Sequence, residues 1–192
     1  FLEKQCLLKL NNQPQDLVGT AAVGYTDQLP ADGFDPNHVR CCDLWGTCAS
    51  QIFAEVSPEM HEEFSIQHER RLLDRFGLTC YGCCEPLHKK IGILRKIPNL
   101  RRIAVTPWAD VAEAAEEIGD KYVYSWRPNP AILAAEYWNP SAARQQARQV
   151  LEITRGNIVE IILKDLETCR GDPRRLFEWT ALLREEVKRM FG

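Results

Sequence analysis

One short segment of the chain concentrates side chains that can bind metals or act as nucleophiles. It reads Cys80-Tyr81-Gly82-Cys83-Cys84-Glu85-Pro86-Leu87-His88. Thiolates and imidazoles are zinc ligands, thiolates are also nucleophiles, and carboxylates transfer protons. Since side chains alternate along a strand, we expect Tyr81 and Cys83 on one face, with Cys80 on the other face against packing helices. The same cysteines could also simply fill a core as small apolar residues.

The spacing of the cysteines permits two kinds of thiol chemistry. Cys80 and Cys83 form a Cys-x-x-Cys motif between a predicted strand and a predicted helix, which is typical of thiol redox proteins. Cys169 follows the last predicted strand, so Cys83 and Cys169 are expected at the same rim of the sheet. Two thiols at one rim favour a metal site with a position left open for substrate.

Four further residues are candidates for lining a pocket. Asp43 and Gln51 lie in a short candidate strand, where a buried polar side chain needs a partner or a ligand. Trp126 and Asn129 lie at another strand end, in a loop broken by prolines. We therefore expect these four side chains to contact a bound cofactor or substrate.

The histidines carry weaker signals. His68 falls on the apolar stripe Met60, Phe64, His68 and Leu72, so we expect it in the core or in an interface. His61 and His38 are expected in solvent. His88, beside two lysines at a helix start, is expected at the surface.

Helices are predicted where a small polar residue precedes a proline, since this pair supplies an N-cap and a residue preset for the first turn. Ser57-Pro58, Asn139-Pro140 and Asp172-Pro173 are the clearest cases. With the apolar spacing behind them, the sequence predicts helices near 57–76, 86–97, 107–119, 140–156 and 172–191.

Short apolar runs alternate with these helices and predict strands near 78–83, 102–106, 122–126 and 159–163, with a further candidate within 43–53. Strict alternation requires parallel strands joined by crossover helices, hence an α/β fold. The count is four to five βα units, whereas a closed (βα)8 barrel, or TIM barrel, needs eight. A complete doubly wound sheet of five strands is the alternative, although no glycine-rich phosphate loop follows any strand.

Composition excludes several classes of protein. The 192 residues are 45% hydrophobic and 27% charged with a net charge of −3, which excludes intrinsic disorder and gives no support for binding nucleic acid. No apolar run approaches the roughly 20 residues of a membrane span, and no leader pattern is evident. Two vicinal cysteine pairs favour reduced thiols. A cytoplasmic protein is therefore expected, without a membrane or a nucleic acid as partner.

The first forty residues differ from the rest of the chain. The sequence begins at Phe1 without a methionine, which we interpret as a piece of a longer protein. Residues 10–40 are polar and aperiodic and predict an irregular rim loop, with Tyr25, Asp27 and Gln28 near the mouth of the site. The expected organisation is an N-terminal segment over residues 1–40 and βα units over residues 41–192.

The chain resembles the uroporphyrinogen decarboxylase superfamily over almost its whole length, most closely the C-terminal part of bacterial members related to corrinoid methyltransferases. The segments that carry the resemblance are Asn11-Asn12, Gly24-Tyr25-Thr26-Asp27-Gln28-Leu29-Pro30, Asp43-Leu44-Trp45-Gly46, Ser50-Gln51, Val56-Ser57-Pro58-Glu59-Met60, Tyr81-Gly82-Cys83-Cys84-Glu85-Pro86 and Arg127-Pro128-Asn129-Pro130. The resemblance implies roughly the second half of a (βα)8 barrel. The remainder of the barrel, or a second copy of the chain, is then an expected partner.

The resemblance also implies a reaction. Related methyltransferases move a methyl group from a methylated corrinoid protein to a thiol, on zinc held by a His-x-Cys motif and a later cysteine. Cys83 and Cys169 stand at the two cysteine positions and are the expected zinc ligands, whereas Tyr81 stands in place of the histidine. Glu85, Cys84 or a residue outside this sequence is then the candidate third ligand. Glu85 and Tyr81 are the expected catalytic residues, and a methylcobamide on a partner protein is the expected methyl donor.

Two other functions fit the sequence. A tetrapyrrole decarboxylase or binding protein would need cationic side chains around its cavity for several carboxylates. A metal-free redox protein would need a reversible disulfide between Cys80 and Cys83 and a thiol of lowered pKa.

Overall fold

Short runs of buried residues become strands that stand side by side in chain order. The computed structural model describes residues 1–14, 19 and 24–192. Within these residues one sheet contains five parallel strands in the order β1-β2-β3-β4-β5, so that β1 and β5 are its two edges. The strands are β1 (Trp45–Cys48), β2 (Leu78–Tyr81), β3 (Leu100–Val105), β4 (Val123–Trp126) and β5 (Ile158–Ile161). The predicted parallel α/β architecture is confirmed.

The helices alternate with the strands along the chain. They are α1 (Pro58 to Leu73, with a π-helical turn at Glu62–Ile66 between Pro58–His61 and Gln67–Leu73), α2 (Ile91–Leu94), α3 (Val111–Ile118), α4 (Ala131–Ala134), α5 (Pro140–Ile153) and α6 (Arg174–Phe191). Short 3-10 turns lie at Glu3–Gln5, Cys41–Asp43, Gln51–Phe53 and His88–Lys90. In the described ranges, no helix combines the length and the apolar composition that crossing a membrane requires.

Two helix starts follow the predicted caps, whereas the helix predicted near 86–97 is shorter and consists of a 3-10 turn at His88–Lys90 followed by Ile91–Leu94. The Ser57 hydroxyl accepts the N–H of Met60, and the Asn139 side chain accepts the N–H of Ala142. The third helix, however, begins at Val111 rather than at 107, because the Asp110 carboxylate accepts two backbone N–H groups and caps it there. Helix α4, which follows the proline-rich loop after β4, was not predicted.

The buried face of α1 is not the predicted one. Met60, Phe64 and Leu72 are 46%, 56% and 50% exposed, and His68 is exposed with them. His61, expected in solvent, is instead fully buried. A spacing of four residues marks a stripe along a helix but does not tell whether that stripe faces the sheet. Here the opposite face of α1 packs against the sheet, because His61 forms a hydrogen bond with Tyr81 and Ser65 forms one with Ser50.

The two faces of the sheet are chemically different. The helices cover an apolar face, where Ile103, Val105 and Tyr124 form part of the main core. The other face carries polar side chains, including an ion pair between Arg102 and Glu160 at 2.8 Å. Arg102 is only 4% exposed, so this face contains a buried ion pair among its side chains.

The segment before β1 is irregular in its described part, as predicted, but lies at the wrong end of the sheet for a site mouth. Leu29 packs against Trp45 and Leu78, the first residues of β1 and β2. Gln28 accepts a hydrogen bond from Arg101 near the start of β3. These contacts place Gln28, with its neighbours Asp27 and Tyr25, beside the amino ends of the strands. The remainder of the predicted loop, residues 15–18 and 20–23, lies outside the described residues.

A buried carboxylate joins the last two long helices. Glu186 of α6 is 1% exposed and pairs with Arg144 and Arg148 of α5 and with Arg189 of its own helix. Its bonds with Arg148 and Arg144, opposed by burial, lower the pKa of Glu186 from 4.5 to about 2. The carboxylate therefore stabilises the fold while it is ionised.

Replacing Glu186 by glutamine is expected to cost about 2 kcal/mol of unfolding free energy at neutral pH. Because the pKa in the folded state is depressed, this contribution is fully present above pH 4.5 and is lost as the pH falls towards 2. Urea unfolding across that range measures it. Glu185→Gln, at a side chain 64% exposed, is the matched control and should change stability by less than about 0.5 kcal/mol. Equal effects of the two variants at neutral pH would contradict the assignment.

Candidate thiol site at the carboxyl edge of the sheet

The loops that follow β2, β3, β4 and β5 meet at the carboxyl edge of the sheet. They enclose a cavity of about 200 Å³, here called the edge cavity, which is lined by Cys84, Thr106, Pro107, Trp108, Arg127, Pro128, Asn129, Pro130, Lys164 and Asp165. In parallel α/β folds this edge is where binding and catalytic residues collect. The edge cavity is therefore the candidate site.

Two adjacent thiols lie in the loop directly after β2. This thiol loop, residues 82–85, places the sulfur atoms of Cys83 and Cys84 3.6 Å apart. Both residues are half-buried, and Cys84 lines the edge cavity. Burial and the neighbouring Cys84 raise the pKa of Cys83, while Lys164 opposes the increase. The loop thus presents a pair of thiols to one cavity.

A lysine stands beside these thiols. The Lys164 ammonium donates to Cys84 Sγ at 2.9 Å and to Cys83 Sγ at 3.9 Å, and it also contacts the Asp165 carboxylate. Its side chain is only 8% exposed. Burial opposes the charge, but the bonds to Asp165 and Cys84 outweigh burial and raise the pKa of Lys164. The site therefore contains a fixed cation next to sulfur, and its charge opposes the increase that burial causes in the pKa of Cys83.

The thiol loop is held from both sides. Arg127, which is 1% exposed, donates to the carbonyls of Gly82 and Cys83. The buried Glu85 carboxylate accepts the N–H of Cys83 at 3.0 Å and the N–H of Ser50 at 3.1 Å. Charged groups bonded to the backbone restrain the loop more strongly than neutral ones would.

A second cavity of about 280 Å³ adjoins the first. Its lining includes Gln51, Glu85, Cys84 and Trp108, of which Cys84 and Trp108 also line the edge cavity. Trp108 is 69% exposed, so a large flat apolar surface stands at the boundary between the two. Cys84 is therefore approachable from two sides.

Several of the predicted site residues meet at this edge. Gln51, Cys83 and Glu85 lie around the second cavity or in the thiol loop. Asn129 lines the edge cavity and caps α4 by accepting the N–H of Ala131. These four predicted residues therefore lie together at the carboxyl edge of the sheet.

The faces expected for β2 are reversed. Tyr81 points into the helix layer, where it belongs to the main core and is 1% exposed. Cys80 lies on the polar face, where its surroundings include Thr47 and Arg102, and burial raises its pKa. Alternation along the strand was predicted correctly, but the side that carries the helices was not.

Tyr81 belongs to a buried hydrogen-bond network. Its hydroxyl lies 3.0 Å from His61 Nε2 and donates to Glu69 at 2.8 Å, and Glu69 also accepts the Ser50 hydroxyl. Burial, with a smaller contribution from Lys90, lowers the pKa of His61. Since Tyr81 lies outside both cavities, its described contacts assign it a role in holding α1 on the sheet.

Substituting phenylalanine for Tyr81 should lower the free energy of unfolding by about 1 to 2 kcal/mol, because the Glu69 carboxylate loses a buried donor. Tyr124→Phe is the matched control, since its hydroxyl makes only a 3.3 Å bond to the Val111 carbonyl, and it should cost about 0.5 kcal/mol. Urea unfolding measures both variants. A Tyr81→Phe protein of normal stability that had lost its chemistry would contradict this assignment and restore the catalytic role expected from the sequence.

Two expected cofactor contacts lie elsewhere. Asp43 is fully buried ahead of β1, at the amino end of the sheet, and pairs with Arg40 at 3.1 Å. Although burial opposes it, the bonds to Arg40 lower the pKa of Asp43. Trp126 packs in the main core under the helices. Asp43 is thus paired within the protein, Trp126 is packed in the core, and neither lines the edge cavity or the second cavity.

Cys169 lies in the loop between β5 and α6, half-buried, where its carbonyl accepts the N–H of Asp172. The described structure shows no hydrogen bond between Cys169 and Cys83, and Cys169 is not among the residues of either cavity. Cys84, rather than Cys169, is the thiol next to Cys83.

The described side chains at the edge are not arranged as a zinc site. A tetrahedral zinc site needs three or four ligands. Across residues 1–14, 19 and 24–192, no group of three or more His, Cys, Asp or Glu side chains is arranged to hold a metal. Tyr81 points away, and the Lys164 cation already lies against both thiols, where it would repel a second cation.

Sequence reasoning missed Lys164, Thr106 and Trp108. Each lies within three residues of the end of a strand and therefore had a detectable signal, since the carboxyl ends of parallel strands share a common edge. Thr106 is 1% exposed, and its hydroxyl has no hydrogen-bond partner among the described residues. Its position in the lining makes it a polar group available to a ligand.

Fold and site together define a parallel α/β protein with a cationic, thiol-bearing cavity at the carboxyl edge of its sheet. No family model matches the sequence, and no curated protein matches it significantly. The class therefore rests on the architecture and on the geometry of the site.

Proposed function

We propose that the chain is the C-terminal part of a (βα)8-barrel protein of the uroporphyrinogen decarboxylase superfamily, and that it transfers a methyl group from a methylated corrinoid to a thiol. The observation that supports this proposal most directly is Lys164 beside the two thiols, in a cavity built by the loops after four neighbouring parallel strands. The sequence segments that resemble the superfamily include the thiol loop itself.

The cations of the cavity match the demand of this reaction. Methyl transfer requires the acceptor sulfur as a thiolate, because the thiolate is the nucleophile. A thiol bound near Lys164 and Arg127 would lose its proton more readily, since both cations stabilise negative sulfur. The methyl group then forms a bond to sulfur, and the electron pair of the cobalt–carbon bond remains with the corrinoid. The protein supplies charge and alignment, while the corrinoid supplies the reactive carbon.

The expected partners follow from this chemistry. The corrinoid protein would approach the open carboxyl edge, where Trp108 is exposed, and a small thiol would enter the edge cavity. The remainder of the barrel or a second copy of the chain would cover the sheet edges β1 and β5. The cytoplasmic location and the zinc ion expected from the sequence remain predictions.

The two alternative functions have less support. A tetrapyrrole decarboxylase would need several cations for the substrate carboxylates, whereas the described lining of the edge cavity presents Arg127 and Lys164. A redox pair of Cys80 and Cys83 would need a thiol of lowered pKa, whereas burial raises the pKa of both.

The proposal is tested by incubating the protein with methylcobalamin and 2-mercaptoethanol and measuring the S-methyl product by mass spectrometry. Product formation above the rate without protein is the expected result. Uroporphyrinogen in place of these substrates, with carbon dioxide as the readout, distinguishes the decarboxylase, and carbon dioxide release without methyl transfer would overturn the proposal. Metal analysis of the same preparation measures whether zinc is retained after purification.

A further inference from the structure

The adjacent thiols of the thiol loop are positioned for chemistry with each other. The sulfur atoms of Cys83 and Cys84 are in contact at 3.6 Å, although neighbouring side chains along an extended chain point to opposite faces. Gly82, at φ +97°, turns the chain directly before them. The bonds from Arg127 to the Cys83 carbonyl and from the Cys83 N–H to Glu85 hold this turn in place. The geometry brings the two sulfurs together without any disulfide.

The two sulfurs differ in their surroundings. Cys84 is 2.9 Å from the Lys164 ammonium and lines both cavities, so a small molecule can reach it next to a fixed cation. Cys83 is 3.9 Å from the same ammonium and lines neither cavity. A cation beside an accessible thiol favours attack by its thiolate. Cys84 is therefore the attacking thiol, and Cys83 is placed to react second.

We propose that Cys83 and Cys84 form an oxidative modification site that reacts with low-molecular-weight disulfides and ends as a disulfide between the two residues. The Cys84 thiolate attacks one sulfur of the small disulfide, forms a mixed disulfide and releases one small thiolate. Cys83 gives up its proton to solvent and attacks the Cys84 sulfur of the mixed disulfide, which releases the second small thiolate. The protein dithiol is oxidised by two electrons, and the small disulfide is reduced to two thiols.

Formation of the disulfide between Cys83 and Cys84 would be reversible. Adjacent Cα atoms across a trans peptide are about 3.8 Å apart, below the 4.4 to 6.8 Å usual for disulfides. A disulfide between neighbours is therefore strained, and strained disulfides are reduced easily. Oxidation would also remove the sulfur acceptors from Lys164. This inference does not depend on the proposed methyl transfer, because it uses only the two thiols, the cation and the access to them.

The chain contains its own comparison pair. Cys41 and Cys42 are also adjacent and half-buried, but the described contacts include no hydrogen bond between their sulfurs, and Cys41 interacts with the Glu3 carboxylate rather than with a lysine. Burial, followed by the bond to Glu3, raises the pKa of Cys41. We expect this pair to oxidise at least about tenfold more slowly than Cys83 and Cys84.

The test treats the folded 192-residue chain with oxidised glutathione, blocks remaining thiols with iodoacetamide and analyses tryptic peptides by mass spectrometry. The peptide of residues 76–89 contains Cys80, Cys83 and Cys84. The expected product lacks two hydrogen atoms and carries a single alkyl group, located on Cys80. Excess reduced glutathione should return it to the dithiol. A disulfide that includes Cys80, or equal oxidation of Cys41 and Cys42, would overturn the proposal.

Variants separate the two steps of the reaction. Cys83→Ser should stop the reaction at the mixed disulfide, so glutathione accumulates on Cys84, whereas Cys84→Ser should abolish the internal disulfide. Lys164→Met should slow the first step about tenfold, while Lys121→Met, at an exposed lysine outside both cavities, should leave it unchanged. Glutathione accumulating on Cys83 instead, or equal rates in the two lysine variants, would assign the reaction to a different mechanism and overturn this one.

Discussion

Replacing Gly82 by alanine is expected to lower the free energy of unfolding by about 3 kcal/mol and to disturb the thiol loop. The backbone φ of +97° is unfavourable for any residue with a side chain. An added Cβ would also lie 2.5 Å from Leu87 Cδ1 and 3.0 Å from the Cβ of Ala104, both buried. Strain and overpacking therefore act together. Urea unfolding gives the stability, and the rate of Cys84 alkylation gives the state of the loop.

Gly92 provides the matched control, since an added Cβ there meets no atom within 4 Å. It lies within α2, where alanine is a better helix former than glycine, so Gly92→Ala should stabilise the protein by roughly 0.5 to 1 kcal/mol. Equal and small effects at both glycines would show that the turn into the thiol loop is not as tight as described.

Replacing Arg127 by methionine should destabilise the protein by about 3 kcal/mol and abolish the ordered geometry of the two thiols. The buried guanidinium donates to the carbonyls of Gly82 and Cys83, and methionine leaves these carbonyls without that donor. Methionine also removes one of the two cations in the described lining of the edge cavity. Chemical unfolding measures the first effect, and the rate of disulfide formation between Cys83 and Cys84 measures the second.

Arg175 is a close match for this comparison. It is 8% exposed and donates to the carbonyls of Leu133, Ala135 and Glu136, away from the thiol loop. Arg175→Met should cost a similar free energy of unfolding, yet leave oxidation of the thiols unchanged. If both variants slowed oxidation equally, general destabilisation rather than positioning would explain the Arg127 result.

The architecture was largely predictable because its signals are local. Proline after a small polar residue located the starts of α1 and α5, and buried apolar runs located the strands. Alternation of the two element types then determined that the sheet is parallel. The start of α3 was predicted at 107 because Thr106-Pro107 also pairs a small polar residue with a proline. The helix instead begins after Asp110, whose carboxylate accepts the N–H groups of Ala112 and Glu113.

The contacts of the site were harder to predict because they depend on which side of a strand or helix faces the core. On β2 the alternation of Cys80 and Tyr81 was evident, but only the packing of α1 decides that Tyr81 points to the helices. On α1 the apolar stripe containing Phe64 is exposed, because His61 and Ser65 take the inner face by bonding to Tyr81 and Ser50.

Lys164 illustrates a second limit. A lysine just after a strand is ordinarily exposed to solvent. The sequence around Lys164 does not indicate its contact with Cys84, which lies 80 residues earlier in the chain. The parallel register of the intervening strands places the end of β5 near the loop after β2. Because the carboxyl ends of parallel strands share an edge, the sequence can identify the residues that follow the strands as one group. It does not show which of these residues contact each other.

The most direct test of the proposed methyl transfer compares its rate, from methylcobalamin to 2-mercaptoethanol, in two variants. Each variant lacks one positive charge. Lys164→Met removes the cation beside the thiols, and Arg155→Met removes an exposed cation in the turn before β5, at the amino edge of the sheet. We predict at least a tenfold lower rate for Lys164→Met and an unchanged rate for Arg155→Met. Equal rates in the two variants, or no S-methyl product from the unsubstituted protein, would contradict the account.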